Sequence, residues 1–201
     1  MLTYISNTAH YLEVLSLVPK VKHNLWIGTA DIKDLYVEDG KQKNVSIKRG
    51  QKELILSAER EKSRGNLKPF LAVLAGLIQC GVEVRLIHAK EPGSNFREDF
   101  DKYPVLYDRL ERVLCPRVHF KMIVFDCKET YLGSANLTGA GIGMKTDNKR
   151  NFEAGILTNP YNGITEDVAS RQSSCHQLRR IQFFAYAQQH VPEPISKLVT
   201  I

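Results

Sequence analysis

The stretch Val118-His119-Phe120-Lys121-Met122-Ile123-Val124-Phe125-Asp126, followed six residues later by Gly133-Ser134-Ala135-Asn136, is the densest group of reactive side chains in the chain. Its apolar, β-branched character predicts a strand over 118–125. Side chains two apart on a strand share a face, so His119 and Lys121 are expected to project together while Phe120 faces the core. A histidine beside a lysine suits a phosphate group. Lysine offers a compact positive charge to the phosphoryl oxygens, and a neutral imidazole is a nucleophile or, once protonated, a general acid. Ser134 and Asn136 are short polar groups on the following turn, suited to donating hydrogen bonds to the same oxygens.

Outward from this stretch, the pattern alternates between helical and extended periods. Residues 8–18 start at a possible Thr8 cap, are mostly apolar and stop at Pro19, which predicts a short buried helix. Leu25 to Ala30 reads as an interior strand and 38–50 as an exposed loop. Leu67, Phe70, Leu71, Leu74, Leu77 and Ile78 follow helical spacing, with Gly81 placed to end the helix. Val82, Val84 and Leu86 then alternate with Glu83 and Arg85 as a strand does. A helix near 96–112, strands at 130–132 and 152–157, and a C-terminal helix over about 165–190 complete the reading. The expected fold is α/β: a mixed sheet with helices on both faces, in a single domain over 1–201.

Composition narrows the function. The chain has 201 residues, 43% of them hydrophobic, and 28 Lys and Arg against 22 Asp and Glu leave a net charge of +6. Such a chain buries a core without a disulfide or a metal, and its charge favours an anionic partner. The cysteines Cys80, Cys115, Cys127 and Cys175 form no CxxC pair. They read as free thiols of a reducing compartment, and with neither an apolar leader nor a bilayer-spanning run the expected location is the cytoplasm. Gly139-Ala140-Gly141-Ile142-Gly143 has the wrong spacing for a dinucleotide loop and reads as a flexible loop near the site.

The spacing His-x-Lys, four residues, Asp126, six residues, and a Gly133-Ser134 turn ending in Asn136 resembles the signature of the phospholipase D superfamily, and fits it without a gap. The similarity runs from about Leu25 to Thr158. Arg150-Asn151-Phe152-Glu153-Ala154-Gly155 looks like that family's later strand, which carries an acid toward the site. The resemblance implies that His119 attacks phosphorus and becomes a covalent phosphohistidine. Lys121 and Asn136 would hold the non-bridging oxygens, Ser134 would assist, and Glu153 would fix the tautomer of His119. Asp126 and Gly133 would be structural. It implies no metal and no cofactor.

Members of that family use two such motifs, one histidine as nucleophile and the other as acid, whereas this chain carries one. None of His10, His23, His88, His176 and His190 is followed by a lysine two residues on. The missing half is therefore expected from a second copy across a two-fold axis, in a homodimer with one composite site. Lys145, Lys149 and Arg150 are placed to guide a polyanion, and 48–68 is the most basic segment, with seven basic residues against three acidic. The expected activity is metal-independent cleavage of DNA or RNA. Its alternatives are a phospholipase or phosphatidyltransferase acting on a lipid diester, and a module that binds nucleic acid without cleaving it.

Overall fold

The computed structural model describes residues 2–33, 35–38 and 67–159. Its centre is a seven-stranded sheet in the order β1-β9-β8-β7-β2-β5-β6. The strands are β1 (Leu2–Ser6), β2 (Asn24–Thr29), β5 (Glu83–His88), β6 (Glu111–Leu114), β7 (Lys121–Phe125), β8 (Glu129–Gly133) and β9 (Ala154–Thr158). β2, β5 and β6 run parallel, and the pairings of β1 with β9, β9 with β8, β8 with β7 and β7 with β2 are antiparallel. A separate two-stranded ribbon joins β3 (Tyr36–Glu38) to β4 (Leu67–Pro69).

The connectivity follows from what each segment can bury. Between β2 and β5 the chain forms α1 (Phe70–Gln79), whose Phe70, Leu71, Leu74, Leu77 and Ile78 are buried. Pro69 has no amide to give and sits at the N-cap, so the helix begins at Phe70 and Leu67 lies in β4 instead. Gly81 ends α1 with φ +88°, and the Gly81 and Val82 amides return to Ile78 and Leu77. Between β5 and β6 the expected single helix is broken at Tyr103-Pro104 into α2 (Ser94–Asp101) and α3 (Pro104–Arg109), because a proline amide cannot continue a ladder. Residues 111 and 112, read as the end of that helix, belong instead to the edge strand β6 (Glu111–Leu114), whose Arg112 and Val113 face opposite sides of the sheet.

The N-terminal segment departs furthest from its reading. Leu2–Ser6 is an edge strand, and 8–18 is no α-helix: His10–Val14 forms a π-helical turn that passes into a 3₁₀ stretch at Leu15–Lys20.

Two apolar layers sandwich the sheet. The larger joins Ile5, Leu25, Ile27, Val84, Leu86, Ile123 and Phe125 to α1, α2 and α3 and to the turn at Val14–Val18. The smaller, on the opposite face, gathers Trp26, Ile87, Val113, Val118 and Val124, with Phe120 and Met122 against it. α1, α2, α3 and the turns over residues 10–20 pack on the first face, and the helix expected over 165–190 lies outside the described residues, as does the basic segment up to residue 66. No helix among the described residues is long and apolar enough to cross a membrane. Cys80 and Cys115 carry free thiols as expected, while Cys127 is disulfide-bonded and so departs from the all-thiol reading.

Candidate active site

Sheet register decides which residues meet. Thr29 pairs with His88, Gly28 with Met122, Lys121 with Gly133, Gly133 with Gly155, and Ser6 with Ala154. One end of the sheet thus collects the last residues of β1, β2, β5 and β8 and the first of β7 and β9. His119, Lys121, Ser134, Asn136 and Glu153 all fall there, although they span the sequence from 119 to 153. Asp126 falls at the opposite end, past the close of β7.

His119 precedes the strand rather than lying in it, since β7 starts at Lys121. Its side chain is exposed, and its ring makes no hydrogen bond among the described residues, which leaves both nitrogens open to a substrate. Its carbonyl accepts a hydrogen bond from Lys121 Nζ at 2.7 Å. Lys121 is only 6% exposed, so its stem is buried and the ammonium is held against the chain that carries His119. Phe120 turns the other way, and its ring lies where a β-carbon on Gly28 would stand, 2.0 Å from Cε2. Gly28 is therefore required for the Phe120 ring to seat and the His119 segment to enter the sheet at this angle.

Ser134 Oγ donates to Glu153 Oε2 and accepts from the Ala154 amide at 3.1 Å, while Asn151 Nδ2 donates to Glu153 Oε1 at 3.0 Å. Within one chain the Glu153 carboxylate thus orients Ser134, where the resemblance implied that it orients His119. Asn136 is fixed through its oxygen: Oδ1 accepts the Asp31 amide at 3.1 Å and the Thr29 hydroxyl at 3.4 Å. That fixes the amide with its NH₂ directed away from β2, as a donor should be presented to an anionic oxygen. Thr29 Oγ1 also accepts the Leu137 amide at 3.2 Å, so the turn after β8 is tied to the end of β2.

The two structural residues have visible causes. Asp126 accepts three consecutive amides, those of Lys22, His23 and Asn24, at distances from 2.7 to 3.1 Å, and so caps the start of β2. Gly133 lies under the Tyr131 ring; a β-carbon there would stand 2.2 Å from Tyr131 Oη and 2.7 Å from the Ala154 carbonyl. On the loop after Asn136, Lys145 and Lys149 are exposed. Arg150 is not free in the same way: its side chain is 13% exposed and its guanidinium pairs with Asp147 at 3.1 Å.

Four contributors carry no signal in the motif. Asn7, at φ +46°, exchanges bonds with Glu153, its amide donating to the Glu153 carbonyl at 3.1 Å and its Oδ1 accepting the Glu153 amide at 3.4 Å. Thr29 and Asp31 lie far from the motif in sequence, and the only signal for them was their place at the end of an apolar strand. His10 is buried beside the site and was set aside for lacking a neighbouring lysine. Nearby, His88 is a closed structural unit. Its Nδ1 meets the Lys90 carbonyl at 2.8 Å, its Nε2 accepts from Arg112 Nε at 2.9 Å, and Arg112 lies over the rings of Phe96 and Phe100. Burial, reinforced by Arg112, lowers the His88 pKa to about 4, so this ring is neutral at pH 7.

With this geometry in place, the solved structures it resembles can be set beside it. NucT from Helicobacter pylori superposes with a TM-score of 0.50 at 11% identity, over 91% of this chain and 96% of that one. A phospholipase D family member, Nuc from Salmonella typhimurium, gives 0.49 at 13% identity over 89% of this chain and 91% of that one. The phosphatidylserine synthase of Haemophilus influenzae Rd KW20 gives 0.49 at 12% identity over 89% of this chain and 36% of that one. No family model and no curated protein sequence matches the chain. The fold is like that of NucT: a large mixed α/β sheet flanked by helices.

Proposed function

We propose that the protein is a phosphodiesterase that cleaves nucleic acid through a covalent phosphohistidine, at a site completed by a second copy of the chain. The observation that carries the reading is the convergence of His119, Lys121, Ser134, Asn136 and Glu153 on one end of a phospholipase D-like sheet, with His119 exposed and its neighbours held from behind. In the first step, His119 of one protomer attacks phosphorus through a ring nitrogen. A nitrogen–phosphorus bond forms, the bond to the leaving oxygen breaks, and the partner's His119 gives that oxygen its proton. In the second, water attacks the phosphohistidine and the nitrogen–phosphorus bond breaks, while the partner's His119 takes the water's proton. Lys121 and the Asn136 amide offset the charge on the non-bridging oxygens, a contribution of roughly 3–4 kcal/mol per well-placed donor in comparable oxyanion sites.

The net charge of +6 and the exposed Lys145 and Lys149 support a polyanionic substrate. A lipid diester is the second reading, and one observation favours it: Phe152, next to Glu153, is 92% exposed, and Leu132, Tyr4 and Leu2 are exposed on neighbouring strands. The test offers single- and double-stranded DNA, RNA and phosphatidylcholine vesicles in excess EDTA, with His119→Ala beside the wild type. EDTA-resistant cleavage of an oligonucleotide that vanishes in His119→Ala, with a phosphoprotein trapped on acid quench, is the expected result. Release of headgroup in preference to oligonucleotide cleavage assigns the lipid reading. Cleavage that survives His119→Ala overturns the mechanism.

A further inference from the structure

His10 is 2% exposed, and no step above uses it. The backbone around it is unusual twice over. It opens the π-helical turn at His10–Val14, and it follows Asn7, which is held at φ +46°. Both are locked from outside. Gly143, at φ +75°, packs so closely that a β-carbon there would stand 2.8 Å from the Asn7 carbonyl and from Thr8 Cα, and Asn7 is bonded to Glu153 on its other side. Strained backbone and π turns persist where surrounding structure over-determines them, and they concentrate at functional sites.

That construction aims the ring. His10 Nδ1 lies 2.9 Å from the Asn7 carbonyl, an acceptor only, so Nδ1 carries the proton and Nε2 presents a lone pair. Burial holds the imidazole below its ordinary range, against the raising influence of the Asn7 bond and of Glu153, so the ring is neutral near pH 7. Nε2 is buried and has no partner among the described residues. The same holds for the hydroxyl of Tyr131, which the Ala135 backbone approaches without closing a bond of good geometry and whose ring meets His10 edge-on at 5.5 Å. Burial pushes the Tyr131 pKa up to about 12, so its proton is present as a donor. His10 and Tyr131 line one small cavity together with Lys121, whose ammonium has three hydrogens and spends one on the His119 carbonyl.

His10 and Tyr131, which carry the two unpartnered polar atoms, and the motif lysine line one water-sized space, the setting for an ordered internal water, which needs two to four polar partners. Leaving the two atoms bare would instead forfeit the hydrogen bonds each makes to water in the unfolded chain. We infer that His10 is a positioning residue for phosphodiester cleavage: through a water shared with Tyr131 it holds the Lys121 ammonium at the height where it meets the phosphoryl oxygens. The inference rests on the function proposed above. It adds that the N-terminal turn belongs to the catalytic machinery, acting through Lys121 and without touching substrate.

The experiment has a kinetic and a spectroscopic arm, on the full chain. His10→Phe keeps the ring shape and removes the lone pair; His10→Gln returns an acceptor near the position of Nε2. His10→Phe is expected to lower kcat on the order of 10- to 100-fold with KM little changed, since displacing a group by a fraction of an ångström acts on the transition state. His10→Gln should recover part of it, and Tyr131→Phe should lower kcat by a smaller factor. Nitrogen-detected NMR of the wild type at pH 7 should show His10 protonated at Nδ1 only, and the Lys121 Nζ signal should move in His10→Gln. Unchanged kcat in a folded His10→Phe protein overturns the inference, as does a His10 protonated at Nε2 or a Lys121 signal unmoved by His10→Gln. Should the wild type cleave no phosphodiester, the proposed function fails and the two NMR readings alone decide the link between His10 and Lys121.

Discussion

Asp126 belongs to the motif by spacing yet sits at the far end of the sheet from His119, so its replacement should cost stability and leave the chemistry intact. Its carboxylate accepts the amides of Lys22, His23 and Asn24 at 2.7–3.1 Å, and its own backbone is at φ +51°. Hydrogen bonds to a charged acceptor contribute about 1.5–3 kcal/mol each where they are shielded, and less where water replaces the acceptor. Lys22 and His23 are exposed and Asn24 is partly buried, which brings the three together to about 3 kcal/mol. In Asp126→Ala a further ~1 kcal/mol is lost because alanine resists a left-handed backbone. Asp126→Gly removes only the acceptor, and Asp126→Asn keeps both an acceptor and tolerance of positive φ. Urea denaturation should therefore rank stability as wild type, Asn, Gly, Ala, with the last about 4 kcal/mol below the first at an unchanged m-value. Under conditions where each variant is folded, kcat/KM for cleavage should stay within about threefold of wild type, well under one tenfold step of 1.4 kcal/mol. A folded Asp126→Asn protein that has lost a hundredfold in kcat/KM without loss of stability would refute this reasoning and place Asp126 among the catalytic residues.

Gly28→Val should destabilise the protein by about 1–3 kcal/mol through overpacking against Phe120, and Phe120→Ala in the same chain should restore part of it; calorimetry of the single and double variants checks this. His88, whose pKa falls from 6.5 unfolded to about 4 folded, contributes stability that is complete above pH 6.5 and is lost as pH falls toward 4. Urea midpoints at pH 7 and pH 5 should differ by an amount corresponding to about 2 kcal/mol, and His88→Gln should remove that difference. For the composite site, differently tagged wild-type and His119→Ala chains purified as a mixed dimer should retain less than about a tenth of wild-type activity, as the loss of a general acid predicts; a mixed dimer with half activity would show that each chain works alone.

Legibility in the sequence tracked how local the controlling interaction is. α1 could be read because its apolar spacing and the Gly81 after it lie within one short stretch; only its start moves, from Leu67 to Phe70, where Pro69 precedes it. β7 could be read because a strand buried along most of its length demands an apolar, β-branched run, and β8 because Thr130-Tyr131-Leu132 has the residue types strands favour. The failures lie where tertiary partners outweigh local preference. Residues 111 and 112 carry a charged, helix-compatible sequence, but β5 offers them an open parallel edge, and Arg112 finds His88, Phe96 and Phe100 there. Residues 8–18 have the composition of an α-helix, but Gly143 and Glu153 seize the backbone at Asn7 and Thr8 and force the first turn wide.

The same distinction divides the site. A fixed spacing within one hairpin reveals His119, Lys121, Ser134 and Asn136, because two antiparallel neighbours joined by a short turn must bring their near ends together whatever surrounds them. Glu153 follows once β9 is seen to pair with β8 at Gly133 and Gly155. Nothing of the kind announces His10. Its place depends on β1 lying antiparallel to β9, on a positive φ at Asn7 and on a glycine in the loop at 143, three separate events that converge only in the folded chain. The motif therefore marks the groups that, in the proposed reaction, meet the substrate. The groups that hold those in position are chosen by packing, and in this protein they come from the opposite end of the sequence: the N-terminal strand closes the sheet beside β9 and thereby sets a neutral imidazole behind the motif lysine.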